Sequence, residues 1–176
     1  LFATGWGISV HSSTDLHRWK KEESVFKTPP AWTQQTVTDF KGHFWAPDIS
    51  WFDGRYYLYY SISSFAKNTS AIGLATNVTL DPTDPAYQWE DHGPVVESVP
   101  NRDLWNAIDP NLVVDEKGDA WLAFGSFWEG LKLVKLQGNR LAPAEPQQWH
   151  TIAKRQRTHF LPDVEPGDAA LEAPFI

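Results

Sequence analysis

The feature that most constrains the fold of this chain is an acidic residue that returns at a nearly fixed interval. Asp48 lies in Trp45-Ala46-Pro47-Asp48, Asp109 in Asn106-Ala107-Ile108-Asp109-Pro110-Asn111, and Glu172 in Leu171-Glu172-Ala173-Pro174-Phe175. The second acid follows the first by 61 residues, and the third follows the second by 63. Each has a proline beside it or two residues on, and the first two open an apolar run. A repeated unit that starts each time with a carboxylate can gather several carboxylates around one axis. Paired carboxylates are the working groups of many sugar-cleaving enzymes.

The repeat extends past the acids. Asp48 is followed by Ile49-Ser50-Trp51-Phe52, an Asp53-Gly54 turn signal, and a run from Arg55 to Ser61. Asp109 is followed by Asn111-Leu112-Val113-Val114, the loop Asp115-Glu116-Lys117-Gly118, and a run from Asp119 to Ser126. Both read as strand, tight turn, strand. Leu1 to Thr4 aligns with Leu58 to Ser61, so the chain opens on the second strand of a unit. The acid heading that unit is expected about ten residues before Leu1 by the same alignment.

Ten Trp, ten Phe and five Tyr, with eleven Gly and thirteen Pro, form short aromatic and β-branched runs broken by turns. That pattern predicts an all-β protein. A period near 60 residues exceeds those of WD40 and kelch repeats but accommodates four strands and generous loops, which predicts propeller blades. Residues 1–28 read as the end of blade I and residues 29–44 as a connection. Blade II follows, with strands over 45–52, 55–64, 70–76 and 89–92, and residues 93–106 are a second connection. Blade III has strands over 108–115, 120–126, 131–136 and 149–153. Residues 154–170 read as irregular and blade IV starts at Leu171. No segment shows a helical period. The expectation is one catalytic propeller domain over 1–176, cut from a longer protein, since the chain has no methionine.

A net charge of −7 without a basic run argues against nucleic acid, and no apolar stretch reaches membrane-spanning length. With no cysteine, disulfides and thiolate metal sites are excluded, and the six histidines show no metal-ligand spacing. The sequons at Asn68 and Asn77 carry little weight.

Asn106-Ala107-Ile108-Asp109-Pro110 followed by Gly125-Ser126-Phe127-Trp128 resembles the endo-1,5-α-L-arabinanases of glycoside hydrolase family 43. His43 to Asp48, Leu171 to Ile176, and Asp15-Leu16 with Trp19 support the same match over essentially the whole chain. The resemblance implies a five-bladed propeller, of which this chain would supply the end of blade I, blades II and III, and the start of blade IV. It implies inversion by three carboxylates. Glu172 would be the general acid and Asp109 the group that orients it and raises its pKa. The general base would be an Asp in a His-Asp-Pro motif upstream of Leu1, so the isolated piece is expected to be inactive. Asn106, Ala107, Ile108, Asp109, Ser126, Phe127 and Trp128 would line the cleft, with Phe44, Trp45 and Gly73 as further candidates. Glu129 departs from the small or neutral residue expected there.

The chemistry suits these residue types. An inverting glycosidase needs a proton on the leaving oxygen and a water on the opposite face, with carboxyl groups roughly 6.5–9.5 Å apart. A neighbouring carboxylate disfavours ionisation of a second. No cofactor is required; a metal on the propeller axis of the full-length protein would take ligands from outside this chain. The expected partner is arabinan or another pectin side chain, and the expected setting is extracellular, as a monomer. An exo-acting arabinofuranosidase or β-xylosidase of the same family is the alternative, and a non-catalytic sugar-binding propeller is a third. Lone Asp48 is expected to serve the backbone instead, and Trp51, Trp121 and Trp149 to pack in blade cores.

Overall fold

The structure, a computed structural model, describes residues 1–158, 162 and 165–176. Part of the irregular stretch expected over 154–170 therefore lies outside the described residues. In chain order the elements are β1 (Phe2–Ala3), β2 (Gly5–Trp6), β3 (Ser9–Ser12), β4 (Lys20–Lys21), α1 (Ala31–Thr36), β5 (His43–Phe52), β6 (Arg55–Ser63), β7 (Ser70–Asn77), β8 (Glu90–Ser98), β9 (Asn111–Val114), β10 (Ala120–Phe124), β11 (Leu131–Lys135) and β12 (Trp149–Ala153). Strands β5 to β8 form one antiparallel meander and β9 to β12 another, while β1, β3 and β4 form a third sheet. These are the expected blades in the expected order.

Blade II shows why such a sequence makes a propeller. Along β6 the side chains alternate between two cores. Tyr57 and Tyr59 pack with Leu122, Phe124 and Val134 of blade III, whereas Leu58, Tyr60 and Ile62 pack with Ile8, Val10 and Phe44 on the side of blade I. A strand buried on both faces reads as a continuous apolar run, which is what 55–63 shows. Tyr59 keeps its phenol satisfied inside the core by donating to the Arg140 carbonyl at 2.7 Å.

Three spans differ from expectation. The connection over 29–44 contains α1, a helix of six residues that is too short to display a period. Trp32 on α1 donates to Asp91, which also accepts from Tyr60, so the helix is pinned onto blade II. The fourth strand of blade II runs to Ser98, beyond its expected end at 92. The Gly93-Pro94 pair that reads as a break is absorbed by a register shift opposite Gly73 on the outer edge, where proline needs no partner. In blade III the ladder starts at Asn111 rather than 108, because Asp109 takes a left-handed backbone with φ 56°.

Two aromatic expectations also change. Trp51 is 54 % exposed and meets Tyr56 edge to face at the blade surface, since β5 turns that face to solvent. Trp121 is only partly buried and donates to Asp115, while Trp149 packs on the core against Trp105 and Phe124. The sequon asparagines Asn68 and Asn77 are buried. Residues 78–88, between β7 and β8, form a largely exposed loop shaped by Asp81 and Asp84, which accept from the Thr83 and Ala86 N–H groups.

Candidate active site

Asp109 precedes Pro110, which disfavours the right-handed helical region for it, and Asp is among the residues that tolerate the left-handed one. Its N–H donates to the Ser61 hydroxyl at 3.0 Å, and that hydroxyl donates to the Ala46 carbonyl at 3.1 Å. Two residues of blade II thus fix the backbone of the acid that heads blade III. The Asp109 carboxylate accepts from the Ala173 N–H, which sets it beside Glu172. Burial, followed by the charge of Glu172, pushes Asp109 up to about 6, against the opposing pull of the Ala173 N–H.

Glu172 is held by blade III. Its backbone bridges to Ser126, and the Ser126 hydroxyl donates to Oε2 at 2.9 Å. The Phe127 N–H donates to Leu171 O at 2.9 Å, and the Ile176 N–H donates to Asn111 Oδ1 at 3.0 Å. Two carboxylates from the heads of successive units therefore share one place, as the repeat predicts.

Glu172 borders a cleft of about 280 Å³ whose walls include Trp45, Phe65, Asn106, Ile108, Ser126, Phe127 and Trp128. Non-glycine residues with positive φ gather around it: Ala66, Asp109, Phe127, Trp128 and Ala173. Such conformations cost roughly 1–3 kcal/mol each and persist where the surroundings over-determine them. A roomier groove of about 740 Å³ runs along the seam of β8 with β11 and β12, lined by Trp105 and Trp149, and neither acid borders it.

Taken with this geometry, the comparison with known proteins is decisive. The sequence model of "Glycosyl hydrolases family 43" matches residues 2–176. The chain belongs to glycosyl hydrolase family 43. It is 53 % identical over its whole length to the extracellular exo-α-(1→5)-L-arabinofuranosidase ArbA of Cellvibrio japonicus, of which it covers 51 %. It is 44 % identical over 97 % of its length to the extracellular endo-α-(1→5)-L-arabinanase 1 of Bacillus subtilis, covering 48 % of that protein. The chain thus spans about half the length of these relatives. The solved structure of the Cellvibrio cellulosa α-L-arabinanase complexed with arabinohexaose superposes with a TM-score of 0.93 and 52 % identity, over 96 % of this chain and 53 % of that one. The blades described above are accordingly part of a family 43 five-bladed propeller.

Within this family 43 chain, the expected cleft residues divide in two. Trp45, Asn106, Ile108, Ser126, Phe127, Trp128 and Glu172 line the cleft, with Asp109 beside Glu172. Asn106 is oriented by the Ser70 hydroxyl, which donates to its Oδ1 at 2.6 Å. Three candidates are placed elsewhere. Phe44 is 0 % exposed, enclosed by Phe26, Phe40 and Tyr60, so its ring offers no face to a sugar. The Ala107 side chain lies in the core between blades II and III. Gly73 is a packing notch in β7: a Cβ there would stand 2.5 Å from Tyr60 Cζ and 2.7 Å from Trp32 Cζ2. Glu129 pairs with Lys154 at 3.2 Å, and its carbonyl accepts from Lys132, so it braces blade III and does not line the cleft. His43 packs edge-on against Trp6.

Sequence reasoning missed the loop over 64–67, which brings Ser64, Phe65, Ala66 and Lys67 to the cleft. The repeat holds the signal: this loop follows Ser61 as Phe127 and Trp128 follow Ser126. Among the described residues no group of three His, Cys, Asp or Glu side chains is placed to hold a metal ion.

Proposed function

We propose that the protein carrying this chain hydrolyses α-1,5-linked L-arabinofuranosyl bonds within arabinan, with inversion of configuration, outside the cell. The observation that carries this reading is the Asp109–Glu172 pair at an aromatic cleft. A neighbouring carboxylate disfavours ionisation of a second, and Asp109 is pushed up to about 6. Glu172 borders the cleft and is the member placed to pass a proton to the leaving glycosidic oxygen. Asp109, behind it, sets the electrostatics and braces the Glu172 segment through the Ala173 N–H.

As the C–O bond breaks, water attacks the anomeric carbon from the opposite face and gives its proton to a general base. That base is the Asp of the His-Asp-Pro motif implied by the resemblance, outside these residues. Phe65, Phe127 and Trp45 offer apolar surface to the sugar rings, with Trp128 buried beneath the cleft wall, and Asn106 offers polar contacts. The arabinohexaose bound by the Cellvibrio cellulosa enzyme supports a linear arabinan chain as the ligand. The extracellular naming of the two relatives supports secretion.

Proton NMR of the first product formed by the full-length protein from linear arabino-oligosaccharides tests the stereochemistry. The β-anomer is expected first; the α-anomer first would overturn inversion. A second reading, release of units from a chain end, is favoured by the 53 % identity to a relative named as an exo-arabinofuranosidase. Product size separates the two. A spread of oligosaccharides in the first minutes supports internal cleavage, and one short product from the outset supports exo action.

A further inference from the structure

A serine near the end of the second strand of blade II and another just past the second strand of blade III each meet the acid at the head of the next unit: the Ser61 hydroxyl accepts from the N–H of Asp109, and the Ser126 hydroxyl donates to Oε2 of Glu172. Both serines are buried, at 0 % and 4 % exposure, so each hydroxyl is held in place by its surroundings.

We infer that Ser126 is a positioning residue that dictates which oxygen of Glu172 carries the catalytic proton. This rests on the acid role given to Glu172 above. The Ser126 hydroxyl has one proton, and it is directed at Oε2. Oε2 is thereby the accepting oxygen, and the acidic proton is confined to Oε1. Protonation of the leaving oxygen then proceeds from Oε1: the O–H bond of Glu172 breaks, the C–O bond to the leaving sugar breaks, and the departing oxygen keeps the proton. The carboxylate left behind has its new charge met at Oε2 by the same hydroxyl, an interaction that strengthens as the proton leaves. Without the hydroxyl the carboxyl group can turn, and the proton spends its time on either oxygen. A small misplacement of a catalytic group is costly in rate.

This role differs from sugar contact in what it predicts. A residue that steers a proton matters most when the leaving group needs one, as a sugar alkoxide does. It matters little for a leaving group that departs as a stable anion, such as dinitrophenolate. The test compares wild type, Ser126→Ala and Ser126→Thr in the full-length protein on linear α-1,5-arabinan and on a 2,4-dinitrophenyl α-1,5-arabinobioside. For Ser126→Ala, kcat on arabinan should fall about 10- to 100-fold with KM within about 3-fold, while kcat on the aryl substrate falls less than about 3-fold. Ser126→Thr, which retains the hydroxyl, should restore most of the arabinan rate.

An equal loss on both substrates, or a loss carried by KM, would overturn the inference. If the wild type cleaves neither substrate, the functional reading itself fails. The positioning claim is then decided by the crystal structure of full-length Ser126→Ala. A Glu172 carboxyl group rotated from its wild-type orientation supports it, and an unmoved one overturns it.

Discussion

Asp48 Oδ2 accepts a hydrogen bond from the Leu112 N–H at 2.8 Å, joining the acid that heads blade II to the inner strand of blade III. Asp48 stands at the repeat position of Asp109 and Glu172, yet its carboxylate serves the backbone. Burial lifts its pKa, and the Leu112 N–H, the Asn111 side chain and the Ile49 N–H pull it back. Replacing Asp48 with Ala leaves the Leu112 N–H unpaired in a blade seam. We expect a loss of about 1–3 kcal/mol of stability, read as a lower urea midpoint of the full-length protein.

Asp109 should make stability fall as pH rises. Its folded pKa of about 6 lies above the ordinary 3.8, so between those values the folded state holds more protons than the unfolded one. Stability drawn from this group is full below about pH 4 and lost through about pH 6. Asp109→Asn removes the titration. Relative to wild type, the variant should gain about 2–3 kcal/mol on going from pH 4 to pH 8, measured by urea denaturation at each pH. An unchanged difference would show that Asp109 titrates normally.

Glu172 is exposed in this chain, and its loss should cost chemistry without costing the fold. For Glu172→Gln in the full-length protein, release of reducing ends from linear arabinan should fall about 10²- to 10⁴-fold. The thermal midpoint should stay within the change that about 0.5 kcal/mol produces.

Gly73→Ala tests the packing notch. The clashing atoms belong to the buried ring of Tyr60 and the half-buried ring of Trp32, both tied to Asp91, so neither readily swings aside. A destabilisation of about 1–3 kcal/mol is expected. If Gly73 served the substrate instead, KM would rise with stability intact.

Phe65, 88 % exposed on the loop missed from sequence, should act on binding alone. Covering one aromatic face contributes about 1–2 kcal/mol, so Phe65→Ala should raise KM for arabinan roughly 5- to 30-fold. Folding stability should not change, and a fall in kcat with constant KM would contradict the role.

The blades were legible because their strands are short aromatic and β-branched runs and their turns use Asp-Gly and Gly-containing loops. Asp109 and Glu172 were legible because the repeat places them at equivalent positions. Phe44 and Trp51 show where such reading fails. Both lie on β5, but which face a blade turns to its neighbour depends on packing between sheets, and one strand's residues do not record it. Phe44 goes inward against Phe26 and Phe40, while Trp51 faces solvent. Gly73 was misread for a related reason: its lack of a side chain matters only against Tyr60, one strand away, and Trp32, on a helix 41 residues earlier.

The loop over 78–88 lies at the far end of β7 from the residues that reach the cleft, because β6 runs toward the cleft and β7 runs away from it. Its own aspartates shape its turns, and most of its residues face solvent. A peptide tether built into this loop would anchor the protein to a bead or scaffold with the cleft directed outward. Immobilised in that orientation, it would present the carboxylate pair to long polysaccharide chains that diffuse too slowly to seek a hidden face.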